Sequence, residues 1–123
     1  MPLRYPEMRA EVIEALRALG DVDYQRRVWI DHERSEPNAY DSLDEQVHIL
    51  FDDIDVCVDP ARWVGVVLQP AEVEPLRRLG ELFGALIDEL GDVPDEVYLA
   101  EPRWPSVVEL ARTAHGAMTE GAG

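Results

Sequence analysis

Apolar residues recur along most of this chain with the spacing of an α-helix. The clearest case runs from Gln69 to Asp92, QPAEVEPLRRLGELFGALIDELGD, where Leu76, Leu79, Phe83, Leu86 and Leu90 step by threes and fours. Those steps place five large side chains on one helical stripe. Leu82 and Ile87 widen the stripe to that of a core helix, with Arg77, Arg78, Glu81, Asp88 and Glu89 on the other side. Pro75 is tolerated only in a first turn, so the helix begins near Glu72 or at Pro75 itself. Gly91 stands where a left-handed C-cap falls. Gly80 and Gly84, four apart, make a flat strip on which another helix can come close.

The same period predicts helices elsewhere. Pro6 to Leu19 carries Met8, Val12, Leu16 and Leu19 on one face, with Ile13 beside it, Pro6 at the first position and Gly20 as the stop. Asp21 then caps a second helix, DVDYQRRVWID, whose buried side is Val22, Tyr24, Val28 and Trp29. The run Val28-Trp29-Ile30 would also suit a strand. His32 to Tyr40 is a polar loop. Ser42 and Glu45 fit a capping box, and Leu43, Val47, Leu50, Phe51 and Ile54 form the stripe of the helix it opens. Pro94 to Ala100 suits one or two helical turns, Pro105 to Ala117 a last helix, and Thr119 to Gly123 a frayed tail.

Between these helices the period changes from 3.6 to 2. Ile54, Val56 and Val58 alternate with Asp55, Cys57 and Asp59, and Trp63 to Leu68 is again β-branched after the turn Asp59-Pro60-Ala61-Arg62. A short β-hairpin is one reading and an extended loop crossing the core the other. The expected fold is therefore mainly α: a compact single domain, residues 1–123, of about four to six helices, with at most one short hairpin near residues 54–68. The long helix is expected at the centre, packed by the first, the Ser42 and the last helices.

Charge changes this picture more than composition does. The formal net charge is −15, and all eleven basic residues are arginine. Without lysine there is no Schiff-base lysine, no P-loop lysine and no lysine general base. The acids are unevenly spread. Asp31 to Asp59 holds ten acids and only Arg34, whereas the acids and arginines of residues 1–30 balance. Such a field repels nucleic acid and anionic membrane surfaces and attracts a basic protein or a cation. No apolar run approaches a membrane span, the N-terminal stretch MPLRYPEMRAE has no apolar signal-peptide core, and Cys57 has no partner for an internal disulfide. Together these point to the cytoplasm.

Candidate chemistry is sparse. On the Ser42 helix, Asp44, His48 and Asp52 are spaced i, i+4, i+8, with Asp53 and Asp55 near its end and Asp41 just before its start. Carboxylate and imidazole at this spacing can meet, so the face could hold a divalent cation or a protonated His48, or be a solvated exterior. Asp52 and Asp53 oppose the helix dipole, which Arg26, Arg27 or Arg62 could compensate. Ser42 and Ser106 read as helix-start residues, Cys57 as a buried structural thiol and His115 as a surface histidine. Trp29, Trp63 and Trp104 each have an arginine close by, which suggests core packing with arginine stacked on indole, or an anchor for a partner.

The segments YQRRVWID (Tyr24 to Asp31), VHILFDD (Val47 to Asp53), RWVGVVL (Arg62 to Leu68) and YLAEPRWP (Tyr98 to Pro105), in that order, resemble an uncharacterised family of small acidic actinobacterial proteins. The resemblance spans about Met8 to Met118. It implies one shared fold and a bacterial cytosolic setting, and supplies no catalytic or binding residue. The reading that follows is a non-enzymatic acidic protein-binding module, whether antagonist, immunity-type protein or regulatory adaptor. Its Asp31–Asp59 surface, with Asp41, Asp44, His48, Asp52 and Asp55, would meet a basic partner without cofactor, nucleic acid or membrane. The alternative is a small enzyme or divalent-cation-binding domain using Asp44, His48, Asp52 and Asp55.

Overall fold

Helices form where stripe and cap coincide. The computed structural model describes residues 4–31 and 42–120. The polar loop expected at His32 to Tyr40, the candidate Asp41 and the tail 121–123 lie outside the described residues. Helix α1 (Pro6–Leu19) has its proline in the first turn and buries Val12, Ala15, Leu16, Ala18 and Leu19. The Asp21 carboxylate accepts the Tyr24 backbone N–H at 3.0 Å and opens α2 (Val22–Tyr24), which runs on as a π-helical turn over Gln25–Ile30. The helical alternative for Val28-Trp29-Ile30 is therefore the one observed. Helix α3 (Leu43–Val47) opens on the Ser42 hydroxyl, which accepts the Glu45 N–H, and it too widens into a π-helical turn, His48–Asp53. Each π turn closes on a five-residue bond, Asp31 N–H to Arg26 at 2.8 Å and Ile54 N–H to Ile49 at 3.2 Å.

The segment expected as a hairpin or a core-crossing loop is a loop. Among the described residues no strand forms there; Val64 and Leu68 make an isolated bridge. The reason is local. Asp55 takes a left-handed φ of 46°, and its carbonyl accepts the N–H groups of Val58 and Asp59, so the chain folds back within four residues. The alternation fails with it: Cys57 is buried and Val58 is 62% exposed. A 3-10 turn over Pro60–Trp63 follows. The Trp63 indole N–H then ties the loop together by donating to Asp55 Oδ1 at 2.7 Å. Val56, Val67 and Leu68 are fully buried beneath it.

A 3-10 turn over Pro70–Glu72 leads into α4 (Val73–Leu90), which keeps Pro75 in its first turn and ends at Gly91 with a positive φ of 65°. Leu76, Leu79, Phe83 and Leu86 are fully buried, and Leu90 partly. Helix α5 (Asp95–Ala100) is short. Helix α6 (Trp104–Glu120) continues past Ala117, so Thr119 is helical where fraying was expected.

The centre differs from expectation. Helix α6 packs against both α1 and α4, while α3 rests on α1. The last helix, not the long α4, is the shared surface, because its buried face combines Val107 and Met118 with the small Ala111 and Ala114, which let a neighbour approach on either side. Edge-to-face rings join the elements: Phe51 to Phe83 at 5.5 Å, Phe83 to Trp104 at 5.7 Å and Trp104 to Tyr98 at 6.4 Å. No helix among the described residues is long and apolar enough to cross a membrane.

Gln25 has no apolar character and is nonetheless fully buried. Its amide donates to the carbonyls of Ala18 and Leu19 at 2.9 Å, capping the end of α1, and its oxygen accepts the Trp104 indole N–H at 3.0 Å. Removing the amide takes the donor from the Leu19 carbonyl and the acceptor from the Trp104 indole, while the Ala18 carbonyl keeps the Asp21 backbone N–H at 3.4 Å. Gln25→Leu is expected to cost about 2–3 kcal/mol, since buried polar groups left unpaired lose their full desolvation. Urea unfolding measures it, and a loss below about 0.5 kcal/mol would mean that water replaces the amide.

Candidate functional site

The candidate residues sit on the outer face of α3 and its π turn. Successive turns bring Asp44, His48 and Asp52 into one ladder: His48 Nδ1 lies 2.9 Å from Asp52 Oδ2, and Nε2 lies 3.6 Å from Asp44 Oδ2. The three side chains are 80%, 55% and 60% exposed in chain order, so the imidazole bridges two carboxylates in water. Glu45 and Asp53 are exposed on the same element, and Asp59 beyond it. None of these five carboxylates meets an arginine among the described residues. No group of three His, Cys, Asp or Glu side chains among those residues converges as metal ligands.

Asp55 is employed differently. One carboxylate oxygen accepts the Trp63 indole and the other lies 3.6 Å from Arg62 Nη1, with the Arg62 guanidinium 5.2 Å over the Trp63 ring. Of the arginines considered as compensation for this acidic stretch, Arg62 reaches Asp55, and it does not reach Asp52 or Asp53. Trp29 and Trp104 are buried core residues, as the packing alternative has it; Arg103 pairs with Glu89 and Glu101.

Two further groups among the described residues are held in the interior. Burial pushes the Cys57 thiol up to about 12, which suppresses the thiolate needed for nucleophilic work. Arg9 and Glu72 pair at 2.6 Å in the interior, where the carboxylate raises the Arg9 guanidinium above its ordinary value. That pair is a fastening between elements.

Beside the ladder the surface is not flat. Helices α3 and α4 face each other across an open trough. One part, of about 600 Å³, is lined by Val47, Phe51 and Val58 on one side and Gly80, Gly84 and Ile87 on the other. A second part, of about 500 Å³, shares Val47 and Ile87 and continues to Val93 and Tyr98. Sequence reasoning singled out the acids of α3 and missed those of the opposite wall, Glu81 and Asp88, because nothing in the order of residues states which two helices face each other.

No curated protein and no solved structure matches this chain. A family model does, over residues 3–123, and its description is "Domain of unknown function (DUF7945)". A match of that extent agrees with the uncharacterised family expected from the sequence, and the chain belongs to the DUF7945 family.

Proposed function

We propose that this protein is a non-enzymatic binding module whose α3 surface meets a basic protein, as an antagonist, an immunity-type protein or a regulatory adaptor in a bacterial cytoplasm. The supporting observation is that Asp44, Glu45, Asp52 and Asp53 are exposed and have no arginine among the described residues, while several of the chain's arginines pair with other acids. Arg9 serves Glu72, Arg17 serves Glu14, Arg77 serves Glu74 and Glu81, and Arg103 serves Glu89 and Glu101. A field left uncompensated at the surface steers an oppositely charged partner and makes the encounter fast and salt-sensitive.

The test uses the whole chain as bait, with partners identified and then measured in purified form. Wild type is compared with Asp44→Asn/Asp52→Asn/Asp53→Asn at about 0.05 M and about 0.5 M salt. The expected result is a basic partner whose affinity falls about tenfold or more both on adding salt and in the triple variant. A partner indifferent to both, or no partner at either salt, would leave the charge a solubility device only. Asp55 is left out of the variant because its carboxylate holds the Trp63 loop.

A further inference from the structure

We infer that the trough between α3 and α4 is the seat for a basic amphipathic helix of the partner, an inference that rests on the binding reading above. Three observations converge on it. The floor is apolar and open: Val47, Phe51 and Ile87 are only partly buried, and Val58 at one end is 62% exposed. The rims are acidic on both walls, Asp44 and Asp52 on the α3 side and Glu81 and Asp88 on the α4 side, with Asp92 and Asp95 at the far end. Among the described residues the cation on the lining is Arg77, which is already held by Glu74 and Glu81. An occupant therefore needs an oily stripe between two positive edges.

Length and backbone chemistry choose the helix. The α4 wall runs from Arg77 to Gly91, about 20 Å at 1.5 Å per residue, which is four turns of helix. Over most of their length both walls are helical, with backbone groups bonded within themselves, and no strand among the described residues borders the trough to offer an edge to an extended peptide. A strand laid there would leave its own N–H and C=O groups unpaired against apolar side chains, whereas a helix arrives with them satisfied. Ridges of such a helix fit the groove between two others as helices do in bundles. A second copy of this chain is a poor occupant, because it brings a net charge of −15 to an acidic rim.

The probe is a labelled synthetic peptide of about 15 residues, leucine at i, i+3, i+4 and i+7 and lysine elsewhere, read by fluorescence anisotropy against the full chain. Its control is a scramble of identical composition and charge. The amphipathic peptide is expected to bind about tenfold tighter than the scramble, and that margin is expected to vanish in two variants that keep the charge. Gly84→Leu fills the trough, and Val58→Ser removes its exposed apolar end; thermal melting verifies that each is folded, and Val58→Ser, at a position already in water, retains stability if Gly84→Leu does not. Equal binding of peptide and scramble, both lost on adding salt, would overturn the trough and leave the charge-based reading standing. Absence of binding by either peptide would overturn both. A wild-type dimer in sedimentation that Val58→Ser converts to monomer would give the trough to a second copy and overturn the proposal.

Discussion

Gly80→Ala is expected to lower stability by about 2–3 kcal/mol, a fall in melting temperature of about 8 °C or more, although alanine favours a helix. A Cβ at position 80 would lie 2.0 Å from the Cys57 carbonyl oxygen and 2.9 Å from its carbonyl carbon. Those are backbone atoms of the buried turn that follows α3, and they cannot swing aside as a side-chain end would. Either α4 or the turn must shift, and both are packed into the core through Val56 and Leu79. The gain from helix propensity, about 1 kcal/mol, is smaller than the strain. Gly84→Ala is the internal control. Its Cβ would meet only Phe51 Cε1 at 3.7 Å, an ordinary contact, so that variant is expected to be neutral or up to about 1 kcal/mol more stable. Differential scanning calorimetry of the two variants checks the pair, and equal melting points would mean that α4 does not approach Cys57 so closely.

Arg9→Met is expected to be the most damaging single side-chain replacement, at about 3–5 kcal/mol. Arg9 reaches from α1 to Glu72 through both terminal nitrogens, at 2.7 and 2.6 Å, and also donates to the carbonyls of Val67 and Met118. One guanidinium thus joins the start of α4, the preceding loop and the end of α6. Glu72 is 2% exposed, and it also accepts the Gln69 backbone N–H at 2.8 Å, starting the turn that leads into α4. Losing Arg9 leaves a buried carboxylate unpaired, and desolvation of that charge dominates the cost. The double variant Arg9→Met/Glu72→Gln removes the charge but keeps an acceptor for Gln69, so it is expected to be more stable than Arg9→Met alone. Chemical denaturation of the three variants resolves the coupling, and an Arg9→Met loss under about 1 kcal/mol would show that the pair only breaks even with burial.

The candidate ladder is legible in the sequence alone. Spacing of four residues brings carboxylate and imidazole together on any helix, and the π turn does not undo it, since His48 lies between Asp44 and Asp52 as that spacing requires. Asp55 was legible only as an acid near the others. Its left-handed backbone and its bond to Trp63, eight residues on, follow from the way the loop folds over Val56 and Leu68. The close approach expected at Gly80 is real, but the approaching element is the Cys57 turn and not a helix. Small residues announce that something comes near without naming it.

By itself the sequence determined most of the helices and several of their ends, though not the end of α6. Pro6, Asp21, Ser42 and Gly91 act on backbone groups within four residues of themselves, and the apolar stripes act through a period that any reader of the chain can count. It also determined that acidic charge would crowd onto the α3 segment. Tertiary structure decided what lies far apart in the chain: that α6 and not α4 is the shared surface, that Gln25 meets Trp104, that Arg9 meets Glu72, and that α3 and α4 leave a trough between them. The physical reason is one of range. Caps and periodicity are local and repeat, whereas a polar group enters the interior only where a partner from a distant element satisfies it, and that partner is known only once the helices have packed.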